Sequence, residues 1–258
     1  MKRRWMGLAA ALICAAALCG STYIAEGRPH RHSEQETVLV VGGSMAHGWL
    51  DARRDSYLRR AFAELSSTTP VQWQYVDRSR PGERAVDVMH RYPHWLLSTK
   101  PQVVAIAWGL LNDCHKRTPM ARFKHAIHAE IDGALARHAV VMLVTPPVTE
   151  ASSSFYRAGT ERYLTAEMEV AHEFRSPNVH VFDILSQMRR YMAAHGQTYW
   201  VYYGNSWHPN SAGHRLAGQL LYRDIVHMLG RGPIVYVENP RLARPRPGGD
   251  GNASTAAM

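Results

Sequence analysis

Four short segments carry residue types that could act together on an electrophilic centre. Gly42-Gly43-Ser44 follows an aliphatic run; a serine at a glycine-flanked strand-to-helix turn presents its hydroxyl at the rim of a sheet, with backbone N–H groups free to face an anion. Gly82, in Ser79-Arg80-Pro81-Gly82-Glu83, stands at a helix start, where a backbone N–H can point at developing negative charge. Asn112, in Trp108-Gly109-Leu110-Leu111-Asn112-Asp113, offers the neutral side-chain donor that an oxyanion hole uses. His208 precedes Pro209 on a loop before the last helix, where an imidazole could reach the same rim. Each has a plainer use when taken singly: Gly-Gly-Ser as a turn, Gly82 as a loop glycine, Asn112 as a helix cap or Asx-turn, His208 as one of 15 histidines. Their joint occurrence supplies a nucleophile, a base and two donors.

The elements that must position them follow from hydrophobic periodicity. Val38 to Val41, Val71 to Val76, Val103 to Trp108, Val140 to Val144 and Val179 to Phe182 are short aliphatic runs, and the continuous ones suit strands buried on both faces. Amphipathic segments alternate with them. Leu58, Ala61, Phe62 and Leu65 recur at helical spacing, as do Ala85, Val88, Met89, Tyr92 and Leu96, and Met120, Phe123, Ile127 and Ile131. A polar helix is expected over Thr160 to Phe174, another from Ile184, and a last one over Asn210 to Leu229 that buries Leu216, Leu220, Leu221 and Ile225. The alternation predicts a single α/β domain with a five-stranded parallel sheet between helices, over about residues 37–230. In such a sheet ligands bind beyond the carboxyl ends of the strands, and all four chemical segments follow a strand or precede the last helix.

Together the four segments resemble the SGNH hydrolase family, the GDSL esterases and lipases, with Ser44, Gly82, Asn112 and His208 in the family's chain order. The resemblance runs from about Thr37 to Leu229. It implies a three-layer α/β/α, flavodoxin-like fold and hydrolysis of acyl esters without a cofactor. It assigns Ser44 as nucleophile, His208 as base, and Ser44 N–H, Gly82 N–H and the Asn112 side chain as the oxyanion hole.

Three positions depart from the family pattern. Gly43 stands where the family has the Asp of Gly-Asp-Ser, an acid that is not itself catalytic. Gly109-Leu110-Leu111-Asn112-Asp113 is one residue longer than Gly-x-Asn-Asp, which a bulge or wider turn would absorb. Asn205 stands three residues before His208, at the place of the triad acid. An amide oxygen can accept the Nδ1–H bond but brings no charge to the imidazolium, and in a serine-protease triad the same exchange lowers turnover by about 10⁴. Three outcomes stay open: a slow Ser-His enzyme oriented by Asn205, an acid supplied by Asp183 or Asp113, or a fold kept for binding glycans or surfaces after activity was lost.

Other residues near strand ends are weighed for secondary roles. His47, three residues after Ser44, is a candidate alternative base, and Trp108, Trp200, Trp207, Tyr202 and Tyr203 are candidates for a wall against a sugar or acyl group. Cys114 with the adjacent His115 is a weak nucleophile pair, because chain neighbours rarely face each other. No Cys/His spacing suggests zinc, and neither a metal nor a cofactor is expected.

At 258 residues, 46% hydrophobic and 20% charged with 3 Cys, the chain is too apolar for disorder and too poor in cysteine for a disulfide scaffold. Its formal charge is +9, but part of the excess lies in Lys2-Arg3-Arg4 and part in Arg241, Arg244 and Arg246 near the C-terminus. With no long Lys/Arg run left, no nucleic-acid partner is expected. Lys2-Arg3-Arg4 followed by the uncharged stretch Trp5 to Ala25 reads as a signal peptide, or as a membrane anchor, over residues 1–26. The body is then extracytoplasmic, secreted or tethered, with a small-molecule, glycan or lipid acyl ester as substrate. Residues 240–258, rich in Pro, Gly and Arg, are expected to form a flexible tail.

Overall fold

The computed structural model describes residues 34–238; the expected signal or anchor over 1–26 and the tail over 240–258 lie outside them. Five parallel strands, β1 (Glu34–Gly42), β2 (Val71–Asp77), β3 (Val103–Ala107), β4 (Val140–Val144) and β5 (Val179–Phe182), form one sheet in the order β2-β1-β3-β4-β5. Their order follows from burial. Every residue of β3 and β4 is buried, whereas β2 and β5 at the edges carry mixed patterns, as a sheet covered on both faces requires.

Between and after the strands run α1 (Ser44–His47), α2 (Tyr57–Thr68), α3 (Ala85–Val88), α4 (Tyr92–Thr99), α5 (Leu111–Lys116), α6 (Met120–Leu135), α7 (Glu150–Ser153), α8 (Arg157–Glu173), α9 (Ile184–Ala194) and α10 (Ser211–Leu229). Helices α2, α9 and α10 pack as one layer, and α3, α4, α6 and α8 as the other, so the fold is three-layer α/β/α with flavodoxin-like strand order. A short antiparallel pair, β6 (Tyr203–Asn205) and β7 (His208–Pro209), precedes α10. Among the described residues no helix is long and apolar enough to cross a membrane.

Four local expectations change. The segment Ala85 to Leu96 is two helices: Pro93 cannot donate an N–H and its ring clashes with the carbonyl of Met89, so the chain breaks before α4. Trp108 lies beyond the last ladder pair, Gly42 with Ala107, and turns inward, donating its Nε1–H to Glu130 Oε2 at 2.9 Å. Leu220 is only partly buried, because the face of α10 turned to the core carries Leu216, Ala217, Leu221 and Ile225. Helix α8, polar in sequence, starts earlier at Arg157 and buries Tyr163, Leu164, Val170 and the carboxyl of Glu167. Past Gly230 the chain stays on the body: Ile234 N–H donates to the buried Glu36 carboxylate at 3.0 Å, and Asn178 bonds both backbone groups of Val237.

Three acids, Asp113 on α5, Glu130 on α6 and Glu167 on α8, are buried together in the layer behind the sheet end. Burial pushes Glu130 up to about 8, and burial with the neighbouring Asp113 and Glu130 charges pushes Glu167 well above the usual carboxylate range. The folded state therefore keeps protons that the unfolded chain releases above pH 4.5, and stability falls as pH rises from there. Glu167→Gln, neutral at every pH, should gain thermal midpoint over the native chain progressively between pH 5 and pH 8.5. Melting curves at both pH values test this, and a pH-independent difference would exclude the buried-proton account.

Candidate active site

Ser44 is the first residue of α1, at the carboxyl end of β1, and its Oγ–H points at His208 Nε2 across 2.8 Å. The two residues are 164 positions apart, brought together because β1 is an inner strand of the sheet and the β6–β7 hairpin folds back over its end. Within the hairpin Asn205 and His208 are paired opposite each other across the two-residue loop Ser206-Trp207. The loop is tied down by Ala151 N–H donating to Ser206 O at 2.8 Å. Asn210 then caps α10 by accepting from Gly213 N–H at 3.0 Å.

Asn205 Oδ1 accepts three hydrogen bonds, from Trp207 N–H, His208 N–H and His208 Nδ1–H, all at 2.9 Å. Two of the donors are backbone amides, so the atom facing the ring must be the oxygen of the carboxamide. That fixes the imidazole tautomer. Nδ1 carries the proton, and Nε2 presents its lone pair to Ser44. Burial first, and then the proximity of His214, push the His208 pKa down to about 4. With no carboxylate against Nδ1, nothing at the ring offsets that depression.

Of the oxyanion candidates, the Asn112 side chain lies at the Ser44 turn. Asn112 Nδ2 donates to Glu83 O at 3.1 Å and lies 3.6 Å from where a Cβ on Gly43 would sit. One amide hydrogen is thus used to orient the group, and the second is left for a ligand. Gly82 has φ +81°, a conformation that suits glycine, with open space where a side chain would stand. Its carbonyl accepts from Lys116 Nζ at 3.1 Å. The extra residue before Asn112 is absorbed at Leu110, which takes φ 63° and lets Leu111 N–H reach Gly109 O at 2.8 Å. A bulky residue in this region is strained.

The remaining candidates separate. Asp183 caps α9, accepting from Ser186 N–H at 3.1 Å and Thr145 Oγ1 at 3.2 Å. Asp113 is buried toward Thr118 and Arg84, with burial raising it to about 6. Neither is the partner of His208 Nδ1, which Asn205 occupies. His47 turns its Nδ1 to Asp77 Oδ2 at 3.4 Å, away from Ser44. Cys114 faces Gly159 on α8, while His115 bonds the Tyr156 hydroxyl at 3.1 Å, so these two do not form a pair.

Of the proposed aromatic wall only Trp207 stands at the site. Trp108 is buried against Glu130, Tyr202 bonds Gln197 and is buried, and Trp200 packs on Tyr203 with its ring exposed. Trp207 joins Met45, Leu111, Ala151 and Tyr156 in a small apolar cluster beside Ser44. Trp49, missed by sequence reasoning, flanks His208 with ring centroids 6.5 Å apart and remains 44% exposed. Its position after Ser44-Met45-Ala46-His47-Gly48 was the available signal. Tyr156 had none, because it reaches the site from the α7–α8 connection. Among the described residues no group of three or more His, Cys, Asp or Glu is placed to hold a metal ion.

Comparison with known proteins bears on the family and on the fold. The sequence model of the GDSL-like lipase/acylhydrolase family matches residues 40–216. No match was found among curated protein sequences. Similar solved structures include a catalytic mutant of an acetylxylan esterase from Geobacillus stearothermophilus (TM-score 0.63, 15% identity, covering 76% of this chain and 96% of that one). The psychrotrophic esterase EstA from Pseudoalteromonas sp. superposes with TM-score 0.57 at 16% identity, over 75% of this chain and 98% of its own. An alpha/beta hydrolase from the metagenome of Lake Arreo, Spain, gives 0.64 at 16% identity, over 79% and 99%. At these identities the structural likeness carries the fold.

The depressed His208 pKa gives a direct spectroscopic expectation. The imidazole resonances of His208 should titrate near pH 4, and Asn205→Asp should raise that midpoint by a unit or more, since a carboxylate favours the charged ring. NMR titration reads both. A native midpoint at 6.5 or higher would contradict the environment described.

Proposed function

Because the chain belongs to the GDSL-like lipase/acylhydrolase family, we propose that it is an exported serine esterase that cleaves carboxylic esters through an acyl-Ser44 intermediate. The observation that carries this reading is the 2.8 Å contact between Ser44 Oγ and His208 Nε2, with Nδ1 held by Asn205. His208 Nε2 takes the Ser44 proton as Oγ bonds to the ester carbonyl carbon. Collapse of the tetrahedral adduct breaks the bond to the alcohol oxygen, which leaves with the proton from Nε2. Water, deprotonated by the same nitrogen, then attacks the acyl-serine and releases the acid. Ser44 N–H, Gly82 N–H and Asn112 Nδ2–H receive the developing oxyanion.

Asn205 orients the imidazole without balancing its charge. A base with a pKa near 4 is unprotonated over most of the pH range but is a weak proton acceptor, so slow turnover is the expected consequence. The apolar cluster of Met45, Leu111, Ala151, Tyr156 and Trp207 suits a short acyl group, and the rings of Trp49 and Trp207 suit a sugar or lipid alcohol. The basic, then uncharged, segment over residues 1–26 supports export, with the body secreted or tethered to the membrane outside the cytoplasm. Interception of the acyl-serine by a sugar hydroxyl instead of water would make the same site an acyltransferase.

A second reading is favoured by the neutral Asn205: a glycan- or surface-binding protein that keeps the cleft without turnover. Purified full chain should hydrolyse a short-chain chromogenic ester and be labelled by a serine-directed phosphonate, with Ser44→Ala lowering turnover on the order of 10³-fold or more. Equal hydrolysis by Ser44→Ala defeats the serine mechanism, and ligand binding with no labelling selects the second reading. Asn205→Asp should raise turnover, by up to about 10⁴ on the serine-protease precedent; a loss of activity would show that the amide is not standing in for the acid.

A further inference from the structure

On the outer face of the helical layer, away from Ser44, α2 and α10 enclose a cleft of about 560 Å³, within the range that takes a small organic ligand. The two helices meet closely at Gly218, where a Cβ would come within 2.9 Å of both Arg60 Cβ and Tyr57 O. A side chain there would push the helices apart. Four arginines line the walls, Arg59 and Arg60 from α2 and Arg215 and Arg223 from α10.

The two α2 arginines are half-buried and fixed in place. Arg60 donates to Asp51 Oδ2 at 2.8 Å and to Asp55 O at 2.9 Å, and the Arg59 guanidinium sits 4.3 Å over the Tyr75 ring. Asp51 is itself held ionised, its pKa kept well below the usual carboxylate range by hydrogen bonds that outweigh burial. Arg215 and Arg223 are exposed and pair with no carboxylate among the described residues. Asp55 and Glu64 are the acids of the lining; with Asp51 already paired to Arg60, four guanidiniums face three carboxylates, a net charge of one positive.

We propose that this cleft is a binding site for a phosphate ester that carries hydroxyl groups beside the phosphate. Guanidinium forks match phosphate oxygens bidentately, and two fixed arginines opposed by two free ones form a partly preorganised clamp. Asp55 and Glu64 accept from hydroxyls of the same ligand, which favours a phosphorylated polyol over a bare anion. The phosphate comes either from a soluble ester or from a lipid headgroup, and both sources present the same chemistry to the arginines. Arg215 lies seven residues after His208, on the helix that starts just beyond it, and the cleft shares no residue with the catalytic loop. The inference is independent of the chemistry at Ser44.

The test uses the full chain and two probes, glycerol 3-phosphate in calorimetry at fixed ionic strength, and vesicles of phosphatidylglycerol against phosphatidylcholine in sedimentation. Saturable binding of either probe is expected, unchanged in Ser44→Ala and weakened at least tenfold in the double variant Arg215→Gln with Arg223→Gln. Variant-sensitive sedimentation with phosphatidylglycerol assigns the lipid source; variant-sensitive binding of glycerol 3-phosphate alone assigns the soluble ester. Arg215→Lys with Arg223→Lys should retain only part of the affinity, because a point charge replaces the fork. Circular dichroism checks that the exposed substitutions leave the fold intact. Absence of saturable binding to both probes, or equal affinity in the glutamine variant, overturns the proposal.

Discussion

Asn205 Oδ1 accepts from the backbone of Trp207, the backbone of His208 and the ring of His208 at one atom. The β6–β7 turn is closed by the two backbone bonds, and the third sets the imidazole. A carboxylate in this place would do the same geometric work and add a charge. The amide separates the two roles: the tautomer and the 2.8 Å approach to Ser44 are kept, while the imidazolium formed during proton transfer loses its counter-charge. The buried ring is then desolvated with no carboxylate to favour its charged form and with His214 nearby, which is why its pKa falls to about 4.

The rest of the site depends on the sheet delivering its strand ends to this loop. β1 and β3 are adjacent and in register, Gly42 beside Ala107, so the Ser44 turn and the Asn112 turn emerge side by side. The strained Leu110 shows how an inserted residue is accommodated without moving Asn112 away from the Gly43 turn. Behind this edge the protein buries Asp113, Glu130 and Glu167. Trp108 Nε1 satisfies one oxygen of Glu130, and both oxygens of Glu167 lack partners. Glu130 and Glu167 hold their protons well above the usual carboxylate range, because an unpaired buried charge costs more than a retained proton.

Much of the fold was legible because its signals are local. Buried runs such as Val103 to Ala107 and Val140 to Val144 mark central strands by composition alone. The helical stripe Leu58, Ala61, Phe62, Leu65 repeats at the period of the structure it forms. Errors arose where one residue overrode a pattern, as Pro93 did between α3 and α4, or where burial came from a distant partner, as for Glu167 on a helix that reads as polar. The four chemical segments were legible for a related reason. In a parallel sheet the residues after each strand share one edge, so chain order nearly determines their neighbourhood.

By itself the sequence determined the alternation of elements, the sheet class and the identity of the residues gathered at its carboxyl edge, since these depend on periodicity and on topology. The tertiary structure decided which acceptor meets His208 Nδ1, turning Asp113 and Asp183 to structural tasks and leaving Asn205 in contact with the ring. It also decided that Trp49 rather than Trp108 flanks the base, and that arginines from two helices line one cleft. The Asn205–His208 contact is local, but the approach of Ser44 to His208, the placing of Trp49 and the pairing of the arginines rest on side-chain directions across contacts more than a hundred residues apart. Such directions are fixed by packing of whole layers, and no local pattern in the chain encodes them.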